Sequence, residues 1–180
     1  KNPINTFKEK DIKEILTHSK LKSQEYFVIY NFLLLTGIRP GDLFEIQAGD
    51  FDFKKKIIRI KISKTSRTID FPIYNELMKF INKNLTRIKA LPPEDKIFKI
   101  YSVERIGKTF RKIVSELSLK NQSYNLKTFR KTFATSFADM GLTEGDLADL
   151  LGHSTTATTR AFYKSKNAGA IRGRMEALGK

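Results

Sequence analysis

The stretch Phe51-Asp52-Phe53, Ile58-Arg59-Ile60-Lys61-Ile62 and Thr68-Ile69-Asp70-Phe71 decides the fold, because here the hydrophobic period changes. Apolar and polar residues alternate, which is the signature of strands with one face against a core. Lys54-Lys55-Lys56 and Ser63-Lys64-Thr65-Ser66 read as the two intervening turns. The stretch predicts a small antiparallel sheet of three short strands. Its basic outer face either approaches a polyanion through Arg59, Lys61 and Lys64 or simply stays wet.

Outward from the sheet, the period is helical. Upstream, Thr6 is expected to cap a helix through about His18, with Phe7, Ile12, Ile15 and Leu16 as its apolar stripe. Ser23 to Leu35 reads as a buried helix ended by Thr36-Gly37, and Pro40 starts a short helix carrying Leu43, Phe44 and Ile46. Downstream, Leu77, Met78, Phe80, Ile81 and Leu85 mark one helix, and Ser102 caps another through Leu117. Asn125 caps a helix to about Met140, stopped by Gly141, with Leu126, Phe129, Phe133, Phe137 and Met140 as its buried face. Thr143 with Asp146 caps a helix to Leu151, and Thr155–Tyr163 and Ala168–Leu178 read as two last short helices. The fold class is mainly α with a small three-stranded antiparallel sheet (α+β).

Composition narrows the function. The 180 residues suit one domain, and with 40% hydrophobic residues a packed core is available. Lys and Arg exceed Asp and Glu by 34 to 19, giving a net charge of +15 and a pI near 9.9. A polyanionic partner follows, nucleic acid ahead of an anionic membrane. Cysteine is absent and only His18 and His153 are present, which excludes disulfides and argues against a metal centre. No apolar run approaches the length of a membrane helix. The lack of cysteine and of a signal peptide points to the cytoplasm.

Four separated segments set unusual polar residues beside strong core stripes. In Thr36-Gly37-Ile38-Arg39-Pro40-Gly41-Asp42-Leu43, Arg39 sits where one helix ends and another starts, with Asp42 one turn on. That arrangement offers a fork of donors to a phosphate, or forms a plain helix-terminal ion pair. Lys64 stands at a hairpin tip, free to reach a ligand or only solvated. In Leu126-Lys127-Thr128-Phe129-Arg130-Lys131-Thr132-Phe133-Ala134-Thr135, cations crowd a helix start, where they oppose the macrodipole and each other. A bound anion would relieve that cost; a basic surface strip is the plainer alternative. In Leu150-Leu151-Gly152-His153-Ser154 and Thr158-Thr159-Arg160-Ala161-Phe162-Tyr163, a histidine follows a helix-ending glycine and a tyrosine comes shortly after.

Together and in this order, these boxes resemble the catalytic domain of the tyrosine recombinase (phage integrase) family, from about Thr6 to Leu178. The resemblance implies residues 1–180 as that catalytic domain, with the family's N-terminal DNA-clamping domain absent from this chain. A chain starting at Lys1 is accordingly expected to be a piece of a longer one. The implied activity is cleavage and rejoining of DNA strands through a 3′-phosphotyrosyl intermediate, with no metal, no ATP and no cofactor.

The resemblance also implies residue roles. Arg39 and Arg130 would grip the non-bridging oxygens of the phosphate, each donor worth roughly 3–4 kcal/mol of barrier in a dry site. Lys64 would protonate the leaving 5′-oxygen, His153 would donate a hydrogen bond to the same phosphate, and Asp42 would support the site. Lys127 stands where the family usually has His; it can donate to phosphate but is a poor base in neutral water. Nine residues after His153, where many members carry the nucleophile, stands Phe162, whose phenyl ring cannot attack phosphorus. Tyr163, one residue later, is taken as the nucleophile; a disabled site stays open. DNA contacts are assigned to Arg59, Lys61, Arg67, Lys131 and Arg160. The expected partner is double-stranded DNA. The chain would be monomeric when free and tetrameric on DNA, its C-terminal helix docking on a neighbour or packing on its own domain. An inactive DNA-binding module of the same fold and a type IB topoisomerase-like relaxing enzyme remain as alternatives.

Overall fold

A computed structural model describes residues 5–98, 102–119, 122–152 and 167–177. Its elements are helices α1 (Glu9–Lys22), α2 (Gln24–Thr36), α3 (Pro40–Leu43), α4 (Asn75–Asn84), α5 (Val103–Glu116), α6 (Leu126–Asp139), α7 (Glu144–Leu150) and α8 (Asn167–Ala177). Strands β1 (Phe51–Asp52), β2 (Ile57–Ile62) and β3 (Arg67–Pro72) lie between α3 and α4. The fold is thus mostly helical with one antiparallel sheet, in the order β1-β2-β3. The chain divides into two compact units, Lys1–Leu43 with Phe98–Ser136, and Phe44–Ile97 with Phe137–Lys180.

The first unit is built on α2, whose Ile29, Tyr30, Phe32 and Leu33 are buried. Ser23 caps it by accepting from the Glu25 N–H, and Gly37 closes it in the left-handed conformation (φ 61°). The Tyr30 ring stacks on Phe129 (5.6 Å) and meets Phe110 edge-on (5.5 Å), so α2, α5 and α6 share one aromatic core. Its hydroxyl donates to the Ile106 carbonyl at 2.7 Å, which meets the need of a buried phenol for a partner.

The second unit is built on the sheet. Ile58, Ile60 and Ile62 of β2 are buried while Arg59 and Lys61 are exposed, as the alternation requires. Register pairs Arg59 with Asp70 and Ile62 with Arg67. Helix α7 is capped reciprocally by Thr143 and Asp146. Helix α8 buries Ile171 and Met175, its Arg172 donates to the Lys55 carbonyl (3.1 Å), and its Arg174 pairs with buried Asp146. In the single chain α8 packs on the sheet of its own unit.

Several local expectations are corrected. Helix α1 starts at Glu9, not near Thr6, and its buried face is Asp11, Ile15 and Ser19. The preceding residues are held by tertiary bonds: the Phe7 N–H donates to Thr132 Oγ1 (2.9 Å) and the Lys8 N–H to the Tyr124 hydroxyl (3.2 Å). Phe44 and Ile46 lie outside α3. Ile46 instead accepts from the Ile97 N–H (3.0 Å), and Gln47 bridges Lys96. The α6 face also buries two threonines, Thr128 and Thr132, while Leu126 and Met140 are only half-buried. The expected helix Thr155–Tyr163 lies outside the described residues.

Candidate functional site

The site of interest forms where α2 ends. Leu33 accepts the Gly37 N–H at 2.9 Å, and the chain turns through Gly37 into Ile38-Arg39 and α3. Glycine is favoured at 37 on two counts. The left-handed φ disfavours a side chain, and a Cβ there would lie 2.6 Å from Phe133 Cδ1. Phe133 of α6 therefore presses directly on the corner. One turn earlier on α6, the Arg130 Nη1 donates to the Gly37 carbonyl at 3.0 Å. A single glycine thus ends the helix, admits the neighbouring ring and anchors a guanidinium.

Arg39 and Asp42 complete the corner. The Arg39 carbonyl accepts the Asp42 N–H at 3.0 Å, so α3 holds both side chains on one turn. Asp42 is only 1% exposed, and its Oδ2 lies 3.9 Å from Arg39 Nη1, an ion pair beyond hydrogen-bond length. Arg39 Nη1 is shielded from solvent and has no hydrogen-bond partner among the described residues. A guanidinium N–H left in that state costs free energy unless a ligand oxygen takes it.

Arg130 carries a second unfavourable charge. Burial, and then the nearby Arg39 cation, lower its pKa to about 10, against a smaller opposing effect of Asp42. It remains a cation at neutral pH, in a place where a cation is disfavoured. Two guanidiniums beside one carboxylate make a cationic cradle with the donors to take an anion of two or more oxygens.

The other α6 cations lie outside this cradle's buried part. Lys127 and Lys131 are exposed, and the first turn of α6 holds no acidic residue. Asn125 caps the helix through its Oδ1, which accepts the Lys127 N–H at 2.9 Å. Lys64 belongs to the second unit and is exposed in the β2–β3 turn. That turn is closed by the Thr65 N–H donating to the Ile62 carbonyl (3.1 Å). Of the residues assigned to DNA contact, Arg59 and Lys61 are exposed on β2 and Arg67 is half-buried at the start of β3. Arg59 also pairs with Asp52 at 3.4 Å, so it is not wholly free for a ligand. His153, Arg160, Phe162 and Tyr163 lie outside the described residues.

Sequence reasoning missed the Gly37 carbonyl as the Arg130 acceptor and Phe133 as the packing partner of Gly37. The αL glycine was visible as a helix stop; its contact 96 residues along the chain has no local signature.

A model of the phage integrase family matches residues 5–169, and the chain belongs to that family. Among curated relatives, a probable integrase/recombinase of Acholeplasma phage L2 is 28% identical over 94% of this chain and 61% of its own length. A tyrosine recombinase of Pseudothermotoga lettingae is 26% identical over 84% of this chain and 53% of its own. The chain therefore spans between half and two thirds of these relatives. The Tn1549 transposon integrase, solved with circular intermediate DNA, superposes with a TM-score of 0.69 at 17% identity. The match covers 97% of this chain and 66% of that one. The lambda integrase catalytic core superposes at 0.64 and 16% identity, over 87% of this chain and 95% of that one. At those identities the superpositions establish the fold, that of tyrosine recombinase catalytic domains.

Proposed function

We propose that this chain is the catalytic domain of a site-specific DNA recombinase or integrase that cuts and rejoins duplex DNA through a 3′-phosphotyrosyl intermediate. The observation that carries the reading is the Arg39–Asp42–Arg130 corner, with its shielded open donor and its disfavoured second cation. In the proposed step the Tyr163 oxygen forms a bond to phosphorus and its proton passes to water or a neighbouring group. The bond from phosphorus to the 5′-oxygen breaks, and the leaving oxygen takes a proton from the Lys64 ammonium, giving a 5′-hydroxyl and a neutral amine. Arg39 and Arg130 hold the non-bridging oxygens as charge builds in the pentacoordinate transition state, and Asp42 aims Arg39. Lys127 and His153 donate further hydrogen bonds to the phosphate. Rejoining is the same exchange in reverse, with a partner strand's 5′-hydroxyl.

Duplex contacts are assigned to Lys61, Arg67, Lys131, Arg160 and, in competition with Asp52, Arg59. These are phosphate contacts that position without reading sequence. Assembly on DNA as a tetramer, with α8 contacting a neighbour, is part of the same proposal. The lambda integrase, solved as a tetramer bound to a Holliday junction, supports that part of the reading.

The test is covalent capture. A pool of nicked duplexes with randomised flanks is incubated with the protein, and DNA retained after SDS is sequenced. The reading expects an adduct on Tyr163, absent in Tyr163→Phe. A second reading, an inactive DNA-binding module, is favoured by Phe162 at the position nine residues after His153. It expects salt-sensitive duplex binding and no adduct.

A further inference from the structure

Two observations meet at Ile62. Its carbonyl accepts the Thr65 N–H at 3.1 Å, and this bond closes the turn whose third residue is Lys64. Its side chain, 1% exposed, is in contact with Gly152 just past the end of α7. Gly152 has φ 59°, the left-handed conformation that follows many helices, and its N–H donates to the Asp149 carbonyl at 3.2 Å. A Cβ at 152 would lie 2.8 Å from Ile62 Cγ1 and 3.2 Å from Cδ1. The turn that carries Lys64 is therefore seated, through one buried side chain, on the bare backbone of one glycine.

The seat is held from several sides. The Thr143–Asp146 capping box holds the start of α7, and Asp146 is further tied to Arg174 of α8. At the other end of the sheet, α8 grips the β1–β2 turn through Arg172 and the Lys55 carbonyl. With both helices and the far turn held, Ile62 has little freedom to yield when a methyl group is added at 152. Beyond it, Ser63, Lys64 and Ser66 of the hairpin tip are exposed.

We infer that Gly152 is a positioning residue for Lys64: the close contact between Gly152 and Ile62 sets where the hairpin presents its ammonium, so that a side chain at 152 displaces the proton donor. The role is distinct from any played by His153, the next residue, which acts on phosphate oxygens rather than on the leaving group. The inference rests on the reading of Lys64 as that donor.

Leaving-group chemistry separates the possibilities. A 5′-bridging sulfur departs as a thiolate and needs little protonation, so a defect in proton donation disappears with it, whereas a defect in phosphate grip or folding persists. The substrate is a nicked duplex recovered by covalent capture, made with either oxygen or sulfur at the scissile 5′ position. Lys64→Ala is expected to cut the oxygen substrate about 100-fold or more slowly and the sulfur substrate at the parent rate. Gly152→Ala is expected to lose about 10- to 100-fold on oxygen, to recover on sulfur, and to add little to Lys64→Ala in the double variant. Ile62→Val, which trims the seat without adding a group at 152, is expected to show a weaker, equally sulfur-rescued defect. Equal slowing of Gly152→Ala on both substrates, or losses that multiply with Lys64→Ala, would overturn the inference while leaving Lys64 in its role. Failure of sulfur to rescue Lys64→Ala would overturn that role, and the inference with it.

Discussion

Two polar clusters are buried in the first unit, and they differ in one respect. At the base of α1, the Tyr124 hydroxyl donates to Asp11 Oδ2 at 2.7 Å and accepts from the Lys8 N–H at 3.2 Å. Phe7 packs edge-on against Tyr124 at 4.8 Å and seals the cluster. Phenol, carboxylate and backbone there satisfy one another. At the end of α2, Arg39 and Asp42 stand 3.9 Å apart, the shielded Arg39 Nη1 makes no hydrogen bond to the described residues, and a second guanidinium lies close enough to repel the first. The first cluster stabilises the fold. The second is held against its own electrostatics by the packing of Gly37 against Phe133, and an anion would complete it. Stability and function are thus written in the same kinds of groups, and the difference is whether the donors are already used.

The largest expected effect breaks the second cluster. Arg39→Ala and Arg130→Ala should each lower the rate of covalent DNA capture about 100- to 1,000-fold, the loss typical of one transition-state donor. Their melting temperatures, read by calorimetry, should fall by only a few degrees: each removes a poorly compensated cation, but Arg39→Ala leaves the buried Asp42 carboxylate short of its cation and Arg130→Ala leaves the Gly37 carbonyl without its donor. Gly37→Ala should damage both properties at once. It strains the αL position and pushes on Phe133, so capture falls at least 10-fold and the melting temperature drops by several degrees.

The converse variant breaks the first cluster. Tyr124→Phe leaves a buried carboxylate short of a donor and should cost about 1–3 kcal/mol, or roughly 3–10 °C in melting temperature. The capture rate at 25 °C should not change. Burial, then the bond to Asp11, raises the Tyr124 pKa above that of an ordinary phenol. A raised acid pKa stabilises the fold fully below the unfolded value of about 10, and the gain drains away as pH climbs towards the folded value. The stability gap between parent and Tyr124→Phe should therefore be flat through neutral pH and narrow above about pH 10, as followed by denaturant titration.

The smallest effect lies outside both clusters. Glu116 on α5 joins His18 (2.6 Å) and Lys22 (2.9 Å) of α1, and those bonds, Lys22 first, lower its carboxyl pKa. The pairing is exposed, so Glu116→Gln should move the melting temperature by no more than a degree or two and leave capture unchanged.

The comparison also explains what the sequence made legible. The alternation of Ile58, Ile60 and Ile62 against Arg59 and Lys61 reads directly as a sheet face, because strand period needs no partner to be seen. Ser23, Ser102, Asn125 and Thr143 announce their helices for the same local reason. Local cues failed where distant groups supply the bonds. Thr6 looks like a cap, yet Thr132 and Tyr124 hold the chain there, and α1 starts later. Asp11 gives no local sign of burial; its partner Tyr124 stands 113 residues away. Arg39, Asp42 and Arg130 stand out as motif residues. That Gly37 joins them, through its carbonyl and its missing Cβ, follows only from the fold.

The central claim is that the Arg39–Arg130 corner grips a scissile phosphate. Covalent capture from the randomised nicked pool, run side by side for the parent, Arg39→Ala and Arg130→Ala, tests it most directly. The account predicts a Tyr163 adduct in the parent and its near-disappearance in both variants at unchanged folding. An adduct that forms equally well without either guanidinium would contradict it.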